Sequence, residues 1–394
     1  MKRVYWRPQK ISKMALLLIG LLAVGGTLAI EAFPTKEPAS ERETKLVAAQ
    51  LAERGMLNIC AERRLRGHQF DKRFDPAQSG MIGAVMTPVT SLPAHLDAKQ
   101  TSVNPNFAAA VVEMLTGANV SKGDVVAIGY TGSFPAFNTC VCTALEAIGA
   151  EPIVIHSAAS SQFGANAPDM MWLDMESVLY EQGVISFRST AATLGGFGDR
   201  ARGMSDDAQA LIAASLDRNE VPPIKVESLR QSIARRMQLY DKQAAGRPIK
   251  AYVNVGGGAA SIHGAEGRST FSAGLNTELP GDAGEVDCVA YRFAKEGIPV
   301  IHVGNAITLA KRYDFAVAPQ SMPEVGTGAV FSTTQPSRLL AATLLIALLV
   351  VIRIYVWTDL WTRWKSQLLA FISPPPRNEK GLRLVSSQRA ELMV

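Results

Sequence analysis

One stretch of this chain, Asp124–Ser157, constrains the fold more than any other. It contains two continuous apolar runs, Val125–Ile128 and Pro152–Ile155. Between them lie the loop Gly129–Ser133 and a segment with helix-like apolar spacing, Phe137–Ile148. Continuous apolar runs are typical of strands that are buried on both faces, as in a parallel sheet. The stretch therefore predicts strand, loop, helix and strand, with the loop at the carboxyl edge of the sheet, where ligands of such folds bind.

A second unit of the same kind occurs later in the chain. The strand-like run Lys250–Val255 is followed by the loop Gly256–Ser261, and the helix-like segment Asp287–Glu296 precedes another strand-like run, Ile298–Val303. The segments LEAIGAEPIVIHS and FAKEGIPVIHVG share the order helix, glycine, proline, β-formers and histidine. We therefore predict an α/β fold, a three-layer domain with a mostly parallel sheet and two duplicated βαβ halves at about 81–200 and 246–330.

The charge of the chain is concentrated at its ends. Residues 1–13 carry five Lys/Arg and no acid, and residues 338–394 carry eight Lys/Arg against three acids. The remainder has 27 basic and 32 acidic residues, so it is mildly acidic. The basic pI therefore does not indicate a nucleic-acid partner.

Two apolar segments next to these basic ends predict membrane anchorage. The 17-residue run 14–30 has no charge, and tryptophans and cations flank the segment 338–360. Cationic flanks are typical of the cytoplasmic side, whereas a cleaved signal peptide remains an alternative for the first segment. We expect a two-pass protein of the cytoplasmic (inner) membrane. Both termini would lie in the cytoplasm, and the domain between the two helices would be extracytoplasmic. The predicted ranges are 1–13 for the cytoplasmic N-terminus, 14–30 and 338–360 for transmembrane helices, 31–337 for the domain and 361–394 for the cytoplasmic tail.

The four cysteines, Cys60, Cys140, Cys142 and Cys288, all fall in the predicted exported part. Two interpretations stay open: buried free thiols, or a disulfide of Cys140 with Cys60 or Cys288. Cys140 and Cys142 are two residues apart on a predicted helix and point away from each other.

The two glycine-rich loops are the predicted ligand site. Backbone N–H groups of such loops can approach an anion closely. Neither loop has the GxGxxG or phosphate-loop pattern, so no cofactor is expected, and tight turns without a ligand are the alternative. Nearby arginines, including Arg200, Arg202 and Arg268, could contact an anionic ligand. The predicted contacts are Thr131, Gly132, Gly256, Gly257, Gly258, Ser261, Arg200 and Asn305.

A nucleophile is also conceivable at the first loop. Ser133 lies at a strand-to-helix turn, and His156 or His302 could act as its base, with Asp282 or Glu285 as an acid partner. The GxSxG elbow is missing, however, and histidines at strand ends are commonly buried and hydrogen-bonded. No metal-binding spacing is present.

The chain resembles the bacterial poly-gamma-glutamate system protein, a membrane component of capsule synthesis loci. The resemblance rests on the two anchors and on the loops GYTGSFPAFN and VNVGGGAASIHG. It implies an accessory role in making, exporting or tethering the polymer, with poly-gamma-glutamate, other membrane subunits of the synthase and the lipid bilayer as partners. Alternatives are a serine-dependent amide hydrolase or transferase acting on the polymer, and a non-catalytic scaffold. The resemblance supplies no catalytic residues.

Overall fold

The fold is that of an α/β protein with a six-stranded central sheet. The computed structural model describes residues 13–264, 270–279, 281 and 286–372. The chain divides into two compact units: one runs from Pro38 to Thr333, and the other combines the segments up to Glu37 and from Thr334 onward.

The central sheet has the strand order β6-β3-β2-β7-β9-β8. All neighbouring strands are parallel except β8, which pairs antiparallel with β9 at one edge. Its strands are β2 (Val125–Thr131), β3 (Glu151–Ser157), β6 (Ala191–Thr193), β7 (Ile249–Val255), β8 (Gly274–Asn276) and β9 (Val300–Val303). Two short pairs complete the strands: β1 (Thr35–Pro38) with β10 (Ser332–Gln335), and β4 (Asn166–Ala167) with β5 (Met170–Met171).

Helices pack on both faces of the sheet. Residues alternate across strand β2, so Val126 and Ile128 belong to one buried core while Val125 and Ala127 belong to the other. This explains why the strand has an unbroken apolar run. The helices are α1 (Lys13–Ala32), α2 (Arg42–Leu65), α3 (Leu96–Ser102), α4 (Phe107–Gly117), α5 (Pro135–Ile148), α6 (Trp172–Glu181), α7 (Asp206–Arg218), α8 (Leu229–Ala244), α9 (Ala259–Ile262), α10 (Val289–Lys295), α11 (Ala306–Arg312) and α12 (Arg338–Ile372).

The terminal unit contains the helices α1 and α12. The two helices approach so closely at Gly26 that a Cβ atom there would overlap the side chain of Leu344. Both helices carry exposed apolar side chains, among them Leu21 on α1 and Leu349 on α12. None of the helices in the described part of the chain combines the length and the apolar character that a membrane span requires. Residues 1–12 and 373–394 of the two basic ends lie outside the described residues.

Some predicted elements are corrected by the structure. The sequence of Met81–Thr90, MIGAVMTPVT, predicts a short strand, but the segment is irregular and forms a single bridge from Thr90 to Ser160. The apolar residues of Ile185–Arg188 likewise predict a short strand, but this segment is irregular with a bend at Ser186, and the strand β6 begins only at Ala191. The four cysteines are all buried and free, so the disulfide interpretation is wrong.

A buried ion pair connects the carboxyl ends of two strands. The carboxylate of Asp199 accepts hydrogen bonds from Arg236 Nη2 at 2.9 Å and from the hydroxyls of Ser157 and Thr193, both at 2.8 Å. Arg236 Nη2 also donates to the same two hydroxyls at 2.8 Å. Both charged side chains are fully buried. The cluster therefore fixes helix α8 and the loop of Asp199 against the ends of β3 and β6.

We predict that Arg236→Met destabilises the protein by about 3–5 kcal/mol, because it leaves the carboxylate of Asp199 buried without its cation. Arg247→Met is the matched control, since the pair of Arg247 with Glu151 is about half exposed and contributes at most about 1 kcal/mol. Chemical denaturation of both variants measures the difference. Equal losses in the two variants would contradict the assignment of the buried pair as a structural support.

Candidate functional site: a crevice between two glycine-rich loops

The loops after β2 and β7 lie side by side at the carboxyl edge of the sheet. The two strands are parallel neighbours, and Tyr130 lies opposite Val255. Gly256 has a φ of 82°, and a Cβ atom there would lie 3.0 Å from Thr131 Oγ1. A Cβ atom on Gly258 would lie 3.2 Å from Thr131 Cγ2. The positive φ of Gly256 favours glycine, and a side chain at either Gly256 or Gly258 would force Thr131 to shift.

The boundary between β2 and β7 is a topological switch point. From β2 the chain passes through α5 to β3 on one side. From β7 it passes through α9, the edge strand β8 and α10 to β9 on the other side. Helix α5 packs in the core that contains Val126, whereas α10 packs in the opposite core with Val125. Since the two connections leave in opposite directions, the region between the loops is the usual ligand position of open parallel sheets, and we call this region, at Thr131, Gly132 and Gly256–Gly258, the crevice.

The first loop is shaped by hydrogen bonds to Thr131. The amide of Ser133 donates to Thr131 Oγ1 at 3.2 Å, and the side-chain amide of Asn138 donates to the Thr131 carbonyl at 2.8 Å. Gly132 accepts a hydrogen bond from Ser160 Oγ at 3.0 Å. Helix α5 begins at Pro135 without a side-chain cap and without an acidic residue in its first turn. The positive end of its dipole therefore lies next to the crevice.

A buried lysine that was not predicted from the sequence lies beside this loop. The ammonium or amine of Lys99, on α3, donates to the carbonyl of Ser133 and lies 2.9 Å from Ser161 Oγ. It also lies 4.0 Å from the centre of the Phe134 ring. Only 2% of Lys99 is exposed, and burial lowers its pKa to about 7. Lys99 therefore changes its charge near neutral pH.

The two predicted catalytic histidines are engaged elsewhere. Since the Tyr130 carbonyl can only accept, His156 donates to it through Nδ1 at 3.1 Å, and burial lowers the pKa of His156 to about 3. The side-chain amide of Asn254 lies 2.9 Å from His302 Nδ1. Ser133 Oγ instead accepts from the amide of Ser161 at 3.1 Å. Among the described residues, the predicted contact between Ser133 and a histidine is not formed.

The other predicted ligand residues are spread along the sheet edge. Gly257 lies in the second loop, and Ser261 is buried in the short helix α9. Asn305 caps helix α11, since its side chain accepts from the amide of Thr308 at 3.1 Å. The loop that carries Arg200 follows β6, which β3 separates from β2. The crevice thus lies at Thr131, Gly132, Gly256, Gly257 and Gly258, whereas Arg200 follows a strand that is not adjacent to β2, and the side chain of Asn305 is engaged as a helix cap.

Three further candidates, Arg268, Asp282 and Glu285, lie outside the described residues. Within the ranges that the structure describes, no group of three or more His, Cys, Asp or Glu side chains could hold a metal ion.

Comparisons with family models, with curated proteins and with solved structures find no match to this chain. The functional assignment therefore rests on the residues of the chain itself and on the geometry of the crevice.

The sequence carried no signal for Lys99 or Ser161. Lys99 occurs in the polar segment LDAKQTS, which resembles any exposed short helix, and Ser161 occurs in a loop rich in Ala, Ser and Gly. Only the folded chain brings Lys99 on α3 to the carboxyl edge of β2. Long-range contacts of this kind have no local pattern.

We predict that Lys99 makes stability depend on pH. Between its pKa of about 7 in the folded state and the ordinary 10.5, the unfolded chain binds a proton that the folded chain lacks, so stability rises with pH. Below pH 7 both states are protonated and this contribution is constant. From pH 7 to pH 9 the free energy of unfolding of the wild type should rise by about 2–3 kcal/mol relative to Lys99→Met. Denaturation at both pH values measures this, and a pH-independent difference would contradict it.

Proposed function

We propose that this chain is a membrane-anchored accessory protein of poly-gamma-glutamate synthesis, export or tethering, which binds the anionic polymer in an extracytoplasmic crevice. The observation that carries the proposal is the meeting of two glycine-rich loops at the switch point between β2 and β7. Loops of this kind offer backbone N–H groups to carboxylates, and the N-terminus of α5 adds a favourable dipole. The resemblance of the two loops to the poly-gamma-glutamate system protein supplies the identity of the polymer.

The charge distribution is compatible with a local site. The central part of the chain is mildly acidic, with 27 basic against 32 acidic residues. Such a domain does not attract an anionic polymer over its whole surface. Binding therefore depends on the short-range hydrogen bonds of the crevice.

Anchorage in the membrane is supported by the terminal helices. The exposed side chains of α1 and α12 include many large apolar residues, and the two helices pack closely at Gly26. Exposed apolar surface of this extent is typical of segments that contact lipid or other membrane subunits. We propose that the terminal helices anchor the chain in the inner membrane and that residues 38–333 are extracytoplasmic.

We predict that the full-length protein, purified in detergent, binds poly-gamma-glutamate oligomers and that Gly258→Ala weakens binding about tenfold, because its methyl group would narrow the space beside Thr131. Gly117→Ala is the matched control: a Cβ atom there also meets a side chain closely, at 3.0 Å from Leu275, but it lies at the end of α4, away from the loops. Calorimetric titration measures both affinities. Equal affinities of the two variants would contradict a site in the crevice.

We further predict the topology from a phosphatase reporter that is active only outside the cytoplasm. A reporter inserted after Ala245, between α8 and β7, should be active, whereas a reporter after Val394 should be inactive. Activity of the C-terminal fusion would contradict the two-pass topology.

A further inference from the structure

Two lysines of the larger unit are almost fully buried, and they differ in their surroundings. Lys45 forms an ion pair with Glu113 at 2.7 Å and donates to the carbonyl of Val330 at 3.1 Å. Lys99 has no carboxylate within ion-pair distance among the residues that the structure describes. A buried ammonium without a counter-ion is unfavourable, so the surroundings of Lys99 favour the uncharged amine.

Lys99 Nζ donates to the Ser133 carbonyl and to Ser161 Oγ, and on loss of a proton it becomes an uncharged amine. Such an amine has two N–H groups and one lone pair. The carbonyl of Ser133 can only accept a hydrogen bond, and the face of the Phe134 ring also attracts an N–H group. The hydroxyl of Ser161, 2.9 Å from Nζ, is the remaining neighbour and the only one of the three that can donate. In the uncharged form of Lys99, the lone pair of Nζ is free to accept the Ser161 proton.

Ser161 is held in place at the crevice. Its amide donates to Ser133 Oγ at 3.1 Å, and the adjacent Ser160 Oγ donates to the carbonyl of Gly132 at 3.0 Å. Ser161 is 8% exposed, and its neighbours Ser133 and Gln162 are half-buried, so the hydroxyl lies just below the surface. Ser161 and Lys99 thus lie against the first loop of the proposed binding site.

The loop that contains Ser161 contacts a segment with exposed apolar side chains. The amide of Gln162 donates to the carbonyl of Leu92 at 2.9 Å, and the amide of Ser91 donates to the carbonyl of Ser160 at 2.8 Å. The segment that makes these contacts carries two exposed apolar side chains, Met86 at 65% and Leu92 at 56% exposure. They offer contact area to an acyl group that approaches Ser161.

We propose that Ser161 is a nucleophile and Lys99 its general base, and that the pair transfers acyl groups from amides or esters. Ser161 Oγ bonds to the acyl carbon while its proton moves to Lys99 Nζ. The bond from the acyl carbon to the leaving amine or alcohol breaks, and that group takes the proton back from Nζ. Water then attacks the acyl–serine and loses a proton to Nζ. The acid is released, and the proton on Nζ returns to Ser161 Oγ.

This activity does not depend on the identity of the polymer. An uncharged lysine is a competent base at neutral pH, whereas the histidine alternatives are excluded from this role by their position. Loss of polymer binding in Gly258→Ala would not contradict acyl transfer by Ser161 and Lys99. Conversely, loss of acyl transfer in Ser161→Ala would not contradict polymer binding.

The test is covalent labelling of the full-length protein in detergent with a fluorophosphonate probe, followed by peptide mass spectrometry. We expect an adduct on Ser161 in the wild type, at least about tenfold slower labelling in Lys99→Met, and none in Ser161→Ala. Lys45→Met is the control, since it removes a buried lysine that contacts neither serine, and it should label like the wild type. The rate should rise with pH and level off above about 7, the pKa of Lys99.

Several outcomes would overturn the proposal. They are an unlabelled wild type, an adduct on Ser133 in place of Ser161, and full labelling of a folded Lys99→Met. Circular dichroism reports whether that variant folds. If it does not fold, the pH profile of the wild type decides, because a labelling rate that is constant from pH 6 to pH 8 is incompatible with Lys99 as the base.

Discussion

The carboxyl edge of the sheet depends on one buried ion pair, that of Arg236 with Asp199. Its two partners come from helix α8 and from the loop after β6, and both also bind the hydroxyls of Ser157 and Thr193. A fully buried pair contributes to stability only when every polar atom around it is satisfied, and these hydroxyls provide that. The ends of β3 and β6 are thereby fixed, although irregular loops follow both strands.

A rigid edge matters because the crevice is formed by loops. The contact of Thr131 with Gly256 and Gly258 is close, so a small displacement of β2 against β7 would close or open the space between them. The same rigidity holds Ser161 at 2.9 Å from Lys99. Backbone amides, a helix N-terminus and an amine with a pKa of about 7 are therefore combined in one small region, which suits both the binding and the cleavage of acyl compounds.

The sequence predicted the regular part of this architecture because that part results from local patterns. The strand predicted from the unbroken apolar run at Val125 and the helix predicted from the spacing of Phe137–Ile148 are confirmed, since burial on two faces and helical spacing are visible in a short window. The edge strand β8 was missed because its three residues, Gly274–Asn276, are too few for a period. Lys99 was missed for a different reason: its burial results from the packing of α3 against loops distant in sequence, and no local pattern indicates such packing.

Activation of a serine by an uncharged lysine at the switch point is tested most directly by the ionisation of Lys99 itself. Isotopic labelling of lysine side chains in the full-length protein, with Lys99→Met to assign the signal, gives the pKa of the amine by NMR titration. We expect a pKa of about 7 that shifts when Ser161 is replaced by alanine. A value near the ordinary 10.5 would mean that Lys99 is charged at neutral pH, and it would contradict its role as the base.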